Sequence, residues 1–470
     1  MDLHFCGDFN DQISTDEERL IPHIKRFFEC AVGDAEFYAA VQENVAGCGP
    51  LLQARGIFGI DPVQLAALFP EVLLLKEVPA AELEDKPQAL LWRRYSAATA
   101  RFREDWRQRV GKTPSNRFNT WHQRQVNRCH SQLGKETNQA IIHTTIVFEL
   151  SKGCSMGCPF CGLAADRLQE VFMYTRENAV FWQDILNIAI ECLGTTVGGG
   201  FCYWATEPSD NPDYLRFLDD FGQATGVFPQ TTTAAPLRNL AWTRKLLQFR
   251  RKHTTVVDRF SILSTNILRG VHKNFSAEDL LLTSLILQHS DTLSQLMANA
   301  GRNRKDFSGN ASEESVKTHT IACLTGYLVN MVERSVRLIS PCPPSERWPL
   351  GYRVYAEGNF SNAAELGHFI GKTIEKCMPE QVAQDDILAF RQDLEFTLLP
   401  EGFQLCSAYH LHKMAGSPHL AQLGRLIAQG NLTSSQVIEE IMVQHKDVFA
   451  LLSSIQSLFD QGLLEDGLGG

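Results

Sequence analysis

No long apolar run is present. Across 470 residues nothing approaches the ~18 consecutive apolar residues that a membrane-spanning helix needs. The first residues, MDLHFCGDFNDQISTDEE, lack the basic-then-apolar order of a secretion signal. Both absences lead to the expectation of a cytoplasmic protein that does not enter a membrane. Positive charge is also in deficit, with a formal net charge of −10, which argues against general affinity for nucleic acid. Internal repeats and low-complexity tracts are absent. Thirteen cysteines are present, but most stand singly along a long chain, which does not suggest a secreted disulfide framework.

What is there suffices for a large core: 44% of residues are hydrophobic and 21% charged. A chain of this length accommodates about three ordinary domains. One segment departs from the acidic balance. From Trp92 to Lys135 there are eleven Lys and Arg against Glu104 and Asp105. Such a run either docks an acidic partner or an RNA backbone, or is a solvated helix whose Arg stems cover apolar surface.

Residues 1–140 read as a helical N-terminal region. Apolar positions recur at helical spacing in IPHIKRFFECAV and DPVQLAALFPEVLLL, with breaks at GIFGID and at Lys86–Pro87. The stretch DAEFYAAVQENVAGCGPLLQARGIFGID has the amphipathic character of a leader peptide, a pattern ordinary helices share. At about 141 the texture changes. IIHTTIVFEL is β-branched and reads as a buried strand. GFCYWA, FPQTTTA, DRFSILS, SVRLIS and YRVYA follow as strand candidates, mostly separated by helical stretches. Strands alternating with helices imply a parallel sheet. The expected fold class is α/β, with a full or partial (β/α)6 barrel over 141–360, whose chemistry belongs at the strand C-terminal ends. Residues 361–470 are expected to be mainly helical.

The first strand runs into FELSKGCSMGCPFCG. Thiolates at Cys154, Cys158 and Cys161 can each bind one iron of a cubane cluster, and one tight loop can wrap a corner of the cube. Gly153, Gly157 and Gly162 let the backbone come close. With no fourth local cysteine, one iron stays open. The competing reading is a zinc or structural cluster site completed by a remote His or Cys.

This CxxxCxxC pattern, with the aromatic Phe160 before its last cysteine, resembles the signature of the radical S-adenosylmethionine (SAM) superfamily. The resemblance implies a [4Fe–4S] cluster on Cys154, Cys158 and Cys161 whose open iron chelates SAM. It also implies a glycine-rich motif after the second strand that holds the SAM ammonium. Here Ala205, Thr206 and Glu207, followed by Pro208, occupy that place, with Ala-Thr where the superfamily has Gly-Gly. Glu207 would accept hydrogen bonds from the ammonium, or is a first-turn helix carboxylate. Ser264, after RFSILS, would reach the ribose, or is a helix cap.

The longer strings IIHTTIVFELSKGCSMGCPFCG, FCYWATEPSDNPDY and LISPCPPSERWPLGYRVYAEGNF resemble the radical SAM peptide epimerases of ribosomal natural-product pathways, the proteusin or polytheonamide type. The likeness spans about 120–360. It implies conversion of L- to D-residues in a precursor peptide, leader plus core, by removal of an α-hydrogen and its return from a cysteine thiol. It also implies an electron donor such as a flavodoxin or ferredoxin. Cys342, between Pro341 and Pro343–Pro344 in a stiff loop, is the expected donor. Cys377 and Cys323 come next, with Cys323 read as lying in an apolar helix. From about 395 the chain resembles the helical half of the small winged domains that grip leader peptides, which bind by strand addition. An ordinary helical cap is the alternative. Two other functions stay open, a radical SAM enzyme making another peptide or RNA modification and a non-catalytic iron–sulfur or zinc sensor.

Overall fold

A computed structural model describes residues 13–465, except 75, 110, 254–255, 290–291, 293–299 and 305–321, and describes no side chains at 103, 106–109 and 140. Cys6 lies outside the described residues. The first part is helical, as its periodicity predicts. Helix α1 (Thr15–Gly33) starts at a capping box, in which Ser14 and Glu17 satisfy each other's backbone N–H groups. Helix α2 (Pro87–Arg109) begins on proline, whose missing N–H costs nothing in a first turn. Between them, short helices bury Phe37, Val41 and Leu52 in a core with Ile24, Phe27, Phe28 and Phe69. The leader-like stretch is therefore a structural part of this region. Arg269 holds it to the following region through Asp34, at 2.8 and 2.9 Å.

The Arg-rich segment forms α2 and α3 (Asn116–Leu133). Several of its arginines are engaged within the chain: Arg93 with Glu71, Arg94 with Glu17, Arg117 with Glu380 and Arg128 with Glu465. Arg124 lies over the Phe459 ring at 3.9 Å. These contacts favour the structural reading of the charge run.

The central region is mixed α/β. Strand β1 (Thr144–Glu149) is fully buried, as its β-branched composition requires. It is followed by α4 (Arg176–Leu193), α5 (Tyr214–Thr225), β2 (Thr232–Thr233), α6 (Leu240–Lys252), β3 (Asp258–Ile262), α7 (Thr265–Asn274) and β4 (Thr283–Leu287). Then come β5 (Leu324–Asn330), β6 (Ser335–Pro341), β7 (Tyr352–Asn359) and α8 (Ala363–Cys377). Strands β2, β3 and β4 pair in parallel. Strand β1 pairs in parallel with β5 on one side and with Phe201 on the other. Tyr203 carries the link onward, its hydroxyl accepting from Thr232 at 2.7 Å. One face of the β1 sheet packs Ile146, Phe148, Tyr327, Val336 and Leu338 against the helices. The inner face carries Val147, Phe201, Trp204, Leu328, Ile339 and Tyr352.

Three strand expectations need correction. GFCYWA forms only a single bridge at Phe201, because Gly194–Gly199 coil into a 3-10 helix beforehand. SVRLIS and YRVYA are not βα units: β6 and β7 run antiparallel beside β5 as a meander. Cys323 is not in a helix but immediately precedes β5, its carbonyl accepting from the Thr144 N–H. The runs around β4 and β5 are apolar without a period, and periodicity cannot separate strand from helix there.

The last part is less helical than expected. Strands β8 (Glu395–Leu399), β9 (Gly402–Cys406) and β10 (Leu411–Ala415) form an antiparallel sheet before α9 (Leu420–Gln429), α10 (Ser434–Met442) and α11 (Val448–Asp460). Phe396, Phe403, Leu405 and Met414 pack into the core of this part, in segments too short for a clear alternation. Among the described residues no helix is long and apolar enough to cross a membrane.

Candidate functional site

The cysteine loop leaves β1 at its C-terminal end. Ser151–Lys152 pairs antiparallel with Glu170–Val171, and the Phe172 N–H reaches the Leu150 carbonyl at 2.9 Å, so the loop is closed at its base. Gly153 has φ +82°, and a Cβ there would meet the Arg167 carbonyl at 2.3 Å. No other residue fits without moving the backbone. Farther along, the Arg302 N–H holds the Cys161 carbonyl at 2.9 Å. The neighbouring Gly301, at φ +56°, would place a Cβ 2.5 Å from that same oxygen.

Cys154, Cys158 and Cys161 are each half-buried on this one loop. Burial pushes the Cys154 thiol up to about 11, and the Glu207 and Asp210 charges add to this, while the Met156 N–H, 3.4 Å from the sulfur, opposes it. Burial raises Cys158 as well, and so does Cys161 nearby. Phe160 is half-buried in the turn between them. Among the described residues no three His, Cys, Asp or Glu side chains already converge as a metal site. The donor set nevertheless fits an iron–sulfur cluster. It offers three thiols on one short loop, glycine at the strained position and a backbone N–H directed at a sulfur.

The loop is tied to the segment after Phe201. Asp210 accepts from the Ser155 N–H at 3.0 Å and from the Ser155 hydroxyl. Arg238 clamps the same point, donating to Ser155 and, at 2.7 Å each, to Ser209 and Asp210. Pro208–Asp210 is a short 3-10 turn whose N-cap is Glu207. That carboxylate accepts from the Ser209 N–H at 3.1 Å, the Ala234 N–H at 2.8 Å and the Thr233 hydroxyl. Burial raises Glu207, and these hydrogen bonds counter the shift. Glu207 thus caps a turn and stands beside the cysteine loop.

Ser264 follows β3 and caps α7, accepting from the Ile267 N–H at 3.2 Å. Ala205 gives its N–H to Glu149 at 2.9 Å. Asp210, Arg238, Ser155 and Glu149 were not legible as site residues. The one hint was a carboxylate ending an apolar strand, since buried charge needs partners.

Cys342 is not brought to the loop. In the register Glu149↔Asn330↔Ser335, the cysteine loop and Cys342 lie at opposite ends of the strands. Six strand residues correspond to ~20 Å of rise. The Cys342 thiol is buried, with Arg353, Arg128 and Cys129 nearby, and the Cys129 sulfur is 3.4 Å from the Pro341 carbonyl. Val336 and Leu338 face the helices and Ile339 the inner face, so alternation turns Cys342 toward α3. The expected donor thus lies at the far end of the sheet, on its helix-facing side. Cys202 and Cys377 belong to the helix-facing core, and Cys406 is in β9. Half-buried Cys323 is close enough to Tyr203 to influence its phenol, and Tyr203 packs with the inner-face cluster.

The chain is 36% identical over 475 aligned positions, covering 99% of its length and 92% of the relative, to the uncharacterized protein y4wI of Sinorhizobium fredii. No family model and no solved structure matches.

Proposed function

The chain belongs to the family of y4wI from Sinorhizobium fredii, and we propose that it is a radical SAM enzyme converting L- to D-residues in a ribosomally made precursor peptide. One observation carries the reading. The CxxxCxxC loop leaves the C-terminal end of β1 and is hydrogen-bonded through Ser155 and Asp210 to the turn capped by Glu207. Cys154, Cys158 and Cys161 would hold a [4Fe–4S] cluster, with Phe160 in the loop. Ala205, Thr206, Glu207 and Pro208 would line the SAM amino-acid end, and Ser264 the ribose side. When bound, the cluster and SAM supply a carbon-centred radical able to remove a peptide α-hydrogen. The protein's part is to hold the reacting residue on the inner face, exclude water and present a thiol. Cys323, like Cys342, lies at the end of the sheet away from the cysteine loop. A flavodoxin or ferredoxin would supply the electron.

The C-terminal sheet supports a peptide substrate. Strands β8 and β10 each pair on one side only within their sheet, and Leu398 and Leu411 on them are exposed. An open edge can take a leader as an added strand. An RNA substrate is disfavoured by the internal partners of the arginines in α2 and α3. The test is co-expression with a precursor in heavy water. Epimerisation places a single deuterium at each converted residue, and a precursor that gains none contradicts the reading.

A further inference from the structure

Glu149 is a carboxylate in β1, a strand whose every residue is buried. Its neighbours in alternation settle its direction: Phe148 packs with the helices and Val147 with the inner face, so Glu149 projects inward at the cysteine-loop end. One oxygen accepts the Ala205 N–H at 2.9 Å and the other the Asn330 side-chain amide at 3.0 Å. The same amide donates to the Ser151 carbonyl at 3.2 Å, inside the base of the cysteine loop. The Asn330 oxygen accepts from the Val332 and Glu333 N–H groups at 3.0 and 2.9 Å, which fixes its orientation. Glu149 thus joins the ends of three chain segments: β1, β5 and the stretch that starts Ala205-Thr206-Glu207.

An apolar residue would fill this strand position without desolvating a charge. Burial raises the Glu149 carboxyl, against which its two hydrogen bonds and the Arg337 charge act. The carboxylate is the acceptor that sets where Ala205 lies relative to Ser151, three residues before Cys154. We propose that Glu149 is a positioning residue that holds the SAM-binding stretch in register with the cysteine loop, acting through Ala205 on one side and Asn330 on the other. This rests on the radical SAM reading above.

The test uses the full-length protein, reconstituted anaerobically, with Glu149→Ala and Glu149→Gln. Iron content and circular dichroism report the loop and fold, and SAM titration followed by the electron paramagnetic resonance of the reduced cluster reports register. Glu149→Ala strands two donors, and the SAM Kd should weaken on the order of tenfold, with wild-type iron and an altered SAM-bound signal. Glu149→Gln keeps an acceptor for Ala205 but turns an N–H toward the Asn330 amide, and its Kd should lie between. If Glu149→Ala does not fold, the glutamine variant alone decides. A wild-type Kd and signal in the folded variants overturn the inference and leave the enzyme reading intact. A wild-type protein whose cluster ignores SAM overturns both.

Discussion

Asp210 accepts both the N–H and the hydroxyl of Ser155, the residue next to Cys154. The side chain of Asp210 is 3% exposed and also pairs with Arg238 at 2.7 Å. A buried carboxylate with three donors cannot be replaced without stranding them. Asp210→Ala is therefore expected to cost about 1–3 kcal/mol of stability and to loosen the cysteine loop. A chelator challenge of the reconstituted protein should strip iron several-fold faster from the variant. Equal rates would show that the Ser155–Asp210 contact does not support the loop.

One pair of variants tests both thiol assignments. Cys342→Ala removes a buried sulfur beside Cys129 and should lower stability by about 1 kcal/mol while leaving D-residue formation in place. Cys323 stands at the same far end of the sheet, so Cys323→Ala should likewise keep SAM cleavage and D-residue formation. Loss of D-product in either variant would reverse this placement.

The open edge of the C-terminal sheet gives a binding prediction. Leu411, 54% exposed at the start of β10, should contact an added leader strand. Leu411→Asp should weaken precursor binding about tenfold, the loss of roughly one buried apolar side chain, without changing SAM cleavage in the absence of peptide. Unchanged affinity, measured by fluorescence anisotropy of a labelled leader, would make this region a structural cap.

How much of this was legible in the sequence follows from what each segment had to satisfy. The cysteine loop was legible because three thiols and glycine at Gly153 are demanded locally. Strands β1 and β3 were legible from bounded apolar or alternating runs. Strand β5 was not, since its burial on both faces removes any period. The meander of β6 and β7 was hidden because strand direction comes from pairing, not composition. The place of Cys342 at the far end of the sheet was hidden for the same reason: the direction of β6, which carries the thiol away from the loop, is a property of the sheet.

Acid stability should depend on His412 in β10. Burial, with the charges of His410 and Arg391, depresses it to about 4, while the unperturbed group titrates at 6.5. Between those values the unfolded chain binds the proton and the folded chain does not. Its contribution is thus complete above about pH 6.5 and is lost as pH falls toward 4. The half-exposed ring limits the effect to about 1 kcal/mol. Thermal melts from pH 7 to 5 should show a shallower decline for His412→Asn than for the native chain. Parallel declines would place the acid sensitivity elsewhere.

The central claim is that Cys154, Cys158 and Cys161 hold a cluster that cleaves SAM. The direct measurement is 5′-deoxyadenosine released by anaerobically reconstituted, reduced protein, compared with the variant in which all three are alanine. The account predicts about four irons per chain and steady release for the native protein, with neither in the variant. Release by the triple-alanine protein at the native rate would contradict it.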